Sequence, residues 1–180
     1  MADEIEIIRS VLGGDADSFR LLVQRYQRPV IRMIRNIVND NHICEDIAQD
    51  VFLAAYRKLA SFDVARSSFS TWLFTIARNR SISAIRKMRR VSLQSASDSR
   101  RSSQPTDALA QKEFFSRLDE ALQRLGVRQR TAFVLAEFEG LRYEEIAQIE
   151  GARIGTIKSR INRAKKKLRL VLQDAEGEIV

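Results

Sequence analysis

Apolar positions in this chain recur every three or four residues, the spacing of helices buried along one face. The pattern predicts a first helix over Asp3–Leu12, stopped by Gly13 and Gly14. Asp15 or Asp17 is placed to cap the next helix. Its apolar stripe is Phe19, Leu22, Val23 and Tyr26 and, beyond Pro29, Val30, Ile31, Ile34 and Ile37. Pro29 either kinks that helix or sits within it at little cost. Asn39, Asp40 and Asn41 are a turn signal, after which Ile43–Leu59 reads as a helix with Ile47, Val51, Ala54 and Ala55 inward. A loop opens at Ser61, Phe62 and Asp63. Ser68 or Ser70 then caps a helix over Thr71–Arg89, striped by Leu73, Ile76, Ala77, Ile82 and Ile85.

The pattern then fails. Residues 92–107 are rich in Ser, hold Pro105 and carry no large apolar side chain after Leu93. Such a segment buries too little apolar surface to offset its ordering entropy and reads as a flexible linker. It separates an N-terminal domain, 1–91, from a C-terminal domain, 108–180. Periodicity resumes in four helices, Ala108–Leu125, Arg128–Glu137, Tyr143–Ile149 and Ile154 to about Leu172. Gly126, Gly140 and the turn Glu150–Ala152 punctuate them, and Glu176–Val180 reads as frayed. The expected fold is all-α, two small helical domains joined by a flexible linker.

Composition narrows the class. In 180 residues there are seven Gly and two Pro, too few for an all-β chain that turns every ten residues. One Cys excludes an internal disulfide framework and a multi-Cys zinc site. No apolar run approaches the roughly 20 residues of a membrane span. The acidic start, Met1-Ala2-Asp3-Glu4, has neither the basic opening nor the apolar stretch of a signal peptide, so a cytoplasmic protein is expected.

Charge changes the picture more. The chain has 31 Lys and Arg against 23 Asp and Glu, a net +8. Six basic residues and no acid lie in Arg78–Arg90; eight and no acid lie in Arg153–Arg169. Those fourteen charges exceed the chain total, so the remainder is net acidic. Two separate anion-binding surfaces are indicated, the bland alternative being two solvated basic helix faces. Nucleic acid is the usual polyanion for such surfaces, ahead of an acidic protein or an anionic membrane.

The stretch 141–163 carries a mechanism. Ala147 offers the small residue that two steeply crossing helices need, and Gly151 the positive φ of a tight turn. Ile146 and Ile149 can then pack on Ile157 and Ile161. Arg153, Lys158, Ser159, Asn162 and Arg163 recur away from that apolar stripe, where a helix in the major groove reads base edges. Gly155 and Thr156 sit at the helix N-terminus, which favours a phosphate, and Lys166 lies in the run Lys165–Arg169 suited to phosphates. The alternative is an ordinary helical hairpin with a basic tail.

Tyr143–Ala147 followed by Gly155–Lys165 resembles the C-terminal helix-turn-helix of a bacterial sigma factor, in the small two-domain extracytoplasmic-function group of the sigma-70 family. Asp46–Phe52 resembles that family's core-binding segment, and Phe69–Asn79 its promoter-melting helix. The matches run in order over almost the whole chain. The resemblance implies docking of Asp46, Gln49, Asp50 and Leu53 on the clamp helices of the largest subunit of core RNA polymerase. Their spacing puts these four on one helix face. It implies capture of the non-template strand of the −10 element by Phe62, Phe69, Trp72, Arg78, Asn79, Arg80, Arg86 and Arg90. Rings and cations together are what single-strand capture needs, although Trp72 also fits a plain core position. It further implies reading of the −35 duplex by the C-terminal helix and inhibition by an anti-sigma factor. Arg153 and Asn162 depart from the family pattern, which leaves the −35 sequence open.

His42 and Cys44 stand two apart, a pairing that is more often incidental than a metal or redox switch. No phosphate loop, nucleophile–base set or paired catalytic carboxylates stand out, so neither enzyme activity, a cofactor nor a small-molecule substrate is expected. The competing reading is a two-domain helix-turn-helix regulator whose N-terminal half senses a ligand or dimerises.

Overall fold

The computed structural model describes residues 2–38, 40–92 and 118–177. Asn39 and most of the expected linker and of the helix from Ala108 lie outside them. All regular structure among the described residues is helical: α1 (Ala2–Leu12), α2 (Phe19–Val38), α3 (Asn41–Arg57), α4 (Phe69–Ser92), α5 (118–123), α6 (Val127–Glu137), α7 (Tyr143–Glu150) and α8 (Ile154–Gly177). Short 3-10 turns precede α2 and follow α3.

The ends follow local chemistry. Gly14, at φ 110°, lets the chain leave α1, and the Asp15 carboxylate accepts hydrogen bonds from the Ser18 and Ser10 hydroxyls across the break. Those two bonds hold the Asp15 carboxyl below its ordinary value. Asp15 thus ties two segments together, and α2 itself starts at Phe19 after a 3-10 turn. Helix α2 then runs through Pro29 unbroken. Of the two serines proposed as cap for α4, Ser68 serves: its Oγ accepts the backbone N–H of Thr71 at 3.2 Å. Helix α8 continues five residues past the expected Leu172, to Gly177.

Helices α2, α3 and α4 bury Leu22, Val30, Met33, Ile34 and Ile37 against Cys44, Ile47, Val51, Leu73, Phe74 and Ala77. The C-terminal half packs Ala132, Leu135, Ile146, Ile149, Ile157 and Ile161 together. These are not two separate cores. They form one continuous apolar cluster, because α6 lies on α2 and α7 lies on α4. A smaller cluster, Ala121, Leu122, Leu125, Ala164 and Leu168, seats α5 on α8.

Candidate nucleic-acid interface

Helices α7 and α8 build the expected helix-turn-helix. Gly151 adopts φ 57°, the left-handed conformation that lets the chain reverse between them. Ile146, Ile149, Ile157 and Ile161 are buried together, and Ala147 lies in the same contact. The inward side of α8 continues through Ala164 and Leu168. Its other side exposes Arg153, Gly155, Thr156, Lys158, Ser159, Asn162, Arg163 and Lys166, every residue expected to meet duplex DNA.

Local bonds refine those roles. The Thr156 N–H already donates to the Arg153 carbonyl at 2.9 Å, so Thr156 offers an anion its hydroxyl and not its amide. The Ser159 hydroxyl donates to the Gly155 carbonyl. Not all of the basic run is free. Arg160 turns inward onto Glu150, Nη1 to Oε2 3.1 Å, and Lys165 pairs with Glu137 at 2.8 Å. The latter pair is solvated on both sides and adds little.

The −10 residues fall into four groups. Asn79, Arg80, Arg86 and Arg90 are exposed, and Ser83, Arg86, Lys87 and Arg90 line a shallow basic groove. Phe62 and Trp72 are half-buried, with ring centroids 5.5 Å apart. Phe69 departs from the expectation of an exposed stacking ring. It is 3% exposed, enclosed by Tyr26, Phe62 and Trp72 at 5.5–5.7 Å, because the first turn of α4 faces α2. In this arrangement it braces the two half-exposed rings and offers no face of its own. Arg78 is also engaged, its Nε 3.1 Å from Glu150 Oε1.

On α3, Asp46, Gln49, Asp50 and Leu53 all lie exposed on the side away from Cys44, Ile47, Ala48 and Val51. Leu53, 47% exposed, leaves an apolar side chain in solvent amid acids. Tyr56 continues that stripe, 42% exposed, its ring edge-on to Phe19. Sequence reasoning missed Tyr56, although it sits one further helical step along.

It also missed the acids that join the halves. Glu139 Oε1 receives Arg32 Nε at 2.7 Å. Glu145 Oε1 accepts the hydroxyls of Ser68 and Thr71, each at 3.2 Å. Glu150 bridges Arg78 and Arg160. Buried Arg130, on α6, donates to the Asn36 carbonyl in the last turn of α2. The hint in the sequence was the placing of Glu139, Glu145 and Glu150 outside the basic stretches. Burial alone would raise the Glu145 carboxyl, but the Arg142 N–H and the Ser68 and Thr71 hydroxyls outweigh it and hold it below its ordinary value. A carboxylate depressed in the fold stabilises it above the unfolded value and ceases to do so as pH falls through the folded one. This contact therefore weakens in acid.

Cys44 is buried, its Sγ donating to the Asp40 carbonyl, and burial pushes the thiol up to about 11. The side chain of His42 lies outside the described ones. A thiol rather than a thiolate at neutral pH makes a poor nucleophile. Native protein at pH 8 should leave Ellman's reagent essentially unreacted over minutes, with full reaction on unfolding in guanidinium. Prompt native reaction would place Cys44 at the surface. Among the described residues no cluster of His, Cys, Asp and Glu is arranged for a metal, and no helix is long and apolar enough to cross a membrane.

Comparison with known proteins agrees with this geometry. Residues 22–91 match the family described as Sigma-70 region 2, and residues 115–168 match Sigma-70, region 4. The RNA polymerase sigma-H factor of Pseudomonas aeruginosa is 34% identical, the match covering 93% of each chain. The ECF RNA polymerase sigma factor SigW of Bacillus subtilis is 32% identical over 93% of this chain and 95% of that one. Among solved structures, the sigma factor RpoE in complex with the anti-sigma factor NepR from Bartonella quintana aligns with a TM-score of 0.77 at 31% identity, covering 86% of this chain and 96% of that chain. CnrH in complex with the cytosolic domain of CnrY aligns at 0.71 and 25%, covering 93% and 96%.

A region 2 half and a region 4 half on one chain define a non-enzymatic initiation factor that confers promoter specificity. The chain belongs to the sigma-70 family, in its extracytoplasmic-function group, and directs promoter-specific transcription initiation.

Proposed function

We propose that this sigma factor engages three macromolecular surfaces. The α3 face of Asp46, Gln49, Asp50 and Leu53, extended by Tyr56, docks on the largest-subunit clamp helices of core RNA polymerase. On α4 and in the loop before it, Phe62, Trp72, Asn79, Arg80, Arg86 and Arg90 take the melted −10 strand, with Phe69 behind them. On α8 and at the residue just before it, Arg153, Lys158, Ser159, Asn162 and Arg163 read the −35 duplex, while Thr156 and Lys166 contact phosphates.

The observation that carries this reading is the two-sidedness of α8. Its apolar residues close the helix-turn-helix core, and every DNA-facing candidate stands in solvent on the other side. Gly155 fits as well. A Cβ there meets nothing within 4 Å, so packing does not demand glycine, whereas close approach of a DNA backbone does.

The domain limits follow as 1–91 and 108–180, joined by 92–107, consistent with the two regions matched. A role beside RNA polymerase supports a cytoplasmic location. The two aligned structures are complexes, with the anti-sigma factor NepR and with the cytosolic domain of CnrY, and on that ground an anti-sigma factor is proposed here too. A ligand-sensing N-terminal half is set aside, since residues 22–91 match region 2.

Run-off transcription with purified core polymerase and genomic templates tests the whole reading. New start sites appearing only with added protein are expected; their absence defeats it. Lys158→Ala or Arg163→Ala should lower promoter use by roughly tenfold to a hundredfold, a base-reading contact being worth about 1–3 kcal/mol. The loss should shrink on templates altered at the −35 bases. A loss indifferent to −35 sequence would make the residue a phosphate contact.

A further inference from the structure

Phe62, Phe69 and Trp72 come from α4 and the loop before it, and the ring that backs them comes from α2. Tyr26 meets Phe69 edge-on, with ring centres 5.5 Å apart and planes at 61°. Phe69 in turn meets Phe62 at 5.7 Å and 87°, and Trp72 at 5.7 Å and 40°. Such pairs depend on mutual tilt, so the angle of Tyr26 constrains Phe69 and, through it, the two half-buried rings.

The far end of Tyr26 is pinned. Its hydroxyl donates to Glu4 Oε1 on α1 at 2.6 Å, the short length of a bond to a charged acceptor. Arg25 Nη1 reaches the same oxygen at 3.1 Å, and its Nη2 reaches Asp3 at 2.6 Å. The Glu4 side chain is 14% exposed, so the anchor is largely shielded from solvent. Burial raises the phenol above its ordinary value and the Glu4 carboxylate adds to the rise, so the hydroxyl stays protonated and donates at neutral pH. A core position asks only for the ring, which phenylalanine would supply. The hydroxyl and its carboxylate add direction. Glu4 also precedes residues 22–91, the segment matched to Sigma-70 region 2, so the support of these rings extends beyond that match.

We propose that Tyr26, pinned by Glu4, is a positioning residue for capture of the melted −10 strand. It acts through Phe69, setting the angle at which Phe62 and Trp72 face solvent. The support of the rings rests on geometry alone; its consequence for the strand rests on the −10 assignment above.

Trp72 is the single tryptophan of the chain, so its fluorescence reports the rings directly. In the full chain, Tyr26→Phe should raise iodide quenching of Trp72 roughly twofold with helicity by circular dichroism unchanged, because a half-buried ring freed from its brace exposes more of its face. Holoenzyme made with that variant should bind the non-template −10 strand of a promoter mapped by run-off about threefold to tenfold more weakly, a part of what a charge-assisted hydrogen bond contributes. Its affinities for core polymerase and for the −35 duplex should not change. Glu4→Ala should repeat both effects, and the double variant should be no worse than either single one, the two groups sharing one bond. Glu4→Gln keeps an oxygen that accepts the hydroxyl and should fall between Glu4→Ala and wild type. Unmoved Trp72 quenching, losses that add in the double variant, or equal weakening on the −35 duplex overturns the positioning role. If Tyr26→Phe loses helicity, Glu4→Ala, which leaves every ring in place, must meet the same requirements. Wild-type strand binding by Trp72→Ala holoenzyme overturns the −10 assignment and with it the functional half of the proposal, even where the quenching result holds.

Discussion

Asp46→Arg combined with Asp50→Arg should weaken binding to core RNA polymerase by at least about a hundredfold, leaving the fold untouched. Both carboxylates are exposed on α3, on the side away from its buried Cys44, Ile47, Ala48 and Val51. Reversal at such positions usually changes stability by under about 0.5 kcal/mol. The interface is different. An acidic stripe with Leu53 and Tyr56 at its end suits a basic partner surface, and like charges juxtaposed there cost several kcal/mol, at tenfold per 1.4 kcal/mol. Size-exclusion or anisotropy binding, with melting as the control, reads both. Wild-type affinity in the folded double variant rules out this face as the docking site. Lys158→Ala, on α8, should bind polymerase normally and fail only at promoters.

The largest effect on stability is expected at Glu150. Its side chain, 3% exposed, lies between the side chains of Arg78 and Arg160, which are 20% and 17% exposed. Removing one partner of a buried ion pair costs about 3–5 kcal/mol, since the remaining charge keeps its burial and loses its compensation. Partial solvation of both guanidiniums favours the lower figure. Glu150→Ala should therefore cost about 3 kcal/mol, or roughly 6–12 °C in melting temperature for a chain of this size. Glu150→Gln should recover part of that, because an amide oxygen still accepts one hydrogen bond. Arg78→Ala in the Glu150→Ala background should add much less than it does alone, the two sharing one interaction. A Glu150→Ala chain that melts like wild type would show the bridge to be energetically idle.

Glu150 also marks the boundary of sequence reading. The turn it closes was legible: Ala147, Gly151 and the four isoleucines lie within sixteen residues, and local spacing fixes how two consecutive helices meet. The exposed face of α8 was legible for the same reason, residue by residue, as was the α3 stripe up to Leu53. Helix ends were less so. Helix α3 begins at Asn41 and α4 at Phe69, each two residues before the apolar pattern indicates, because that pattern reports burial and not the first hydrogen-bonded turn. Phe69 was misread as a platform, since spacing shows that a ring shares a face with Trp72 but not that Tyr26 lies across it.

Charge misled in a related way. Fourteen basic residues were grouped as two DNA surfaces, yet Arg78 and Arg160 are bound to one glutamate and Lys165 to another. Counting residues in a run records charge and not its partners.

Periodicity and turn glycines, then, were enough to specify the helices of the described residues, the helix-turn-helix and the sides of α3 and α8 left to solvent, because each depends on neighbours a few residues away. The joining of α2 to α6 and α4 to α7 came only from the tertiary structure. Arg32 and Glu139 are 107 residues apart, and Arg78 and Glu150 are 72 apart. An apolar stripe states that a face is covered, and an acid that a cation is welcome; neither carries the address of its partner. That address emerges when helices distant in the chain compete for the same faces, and here it brings acids of the C-terminal half onto groups of the N-terminal half.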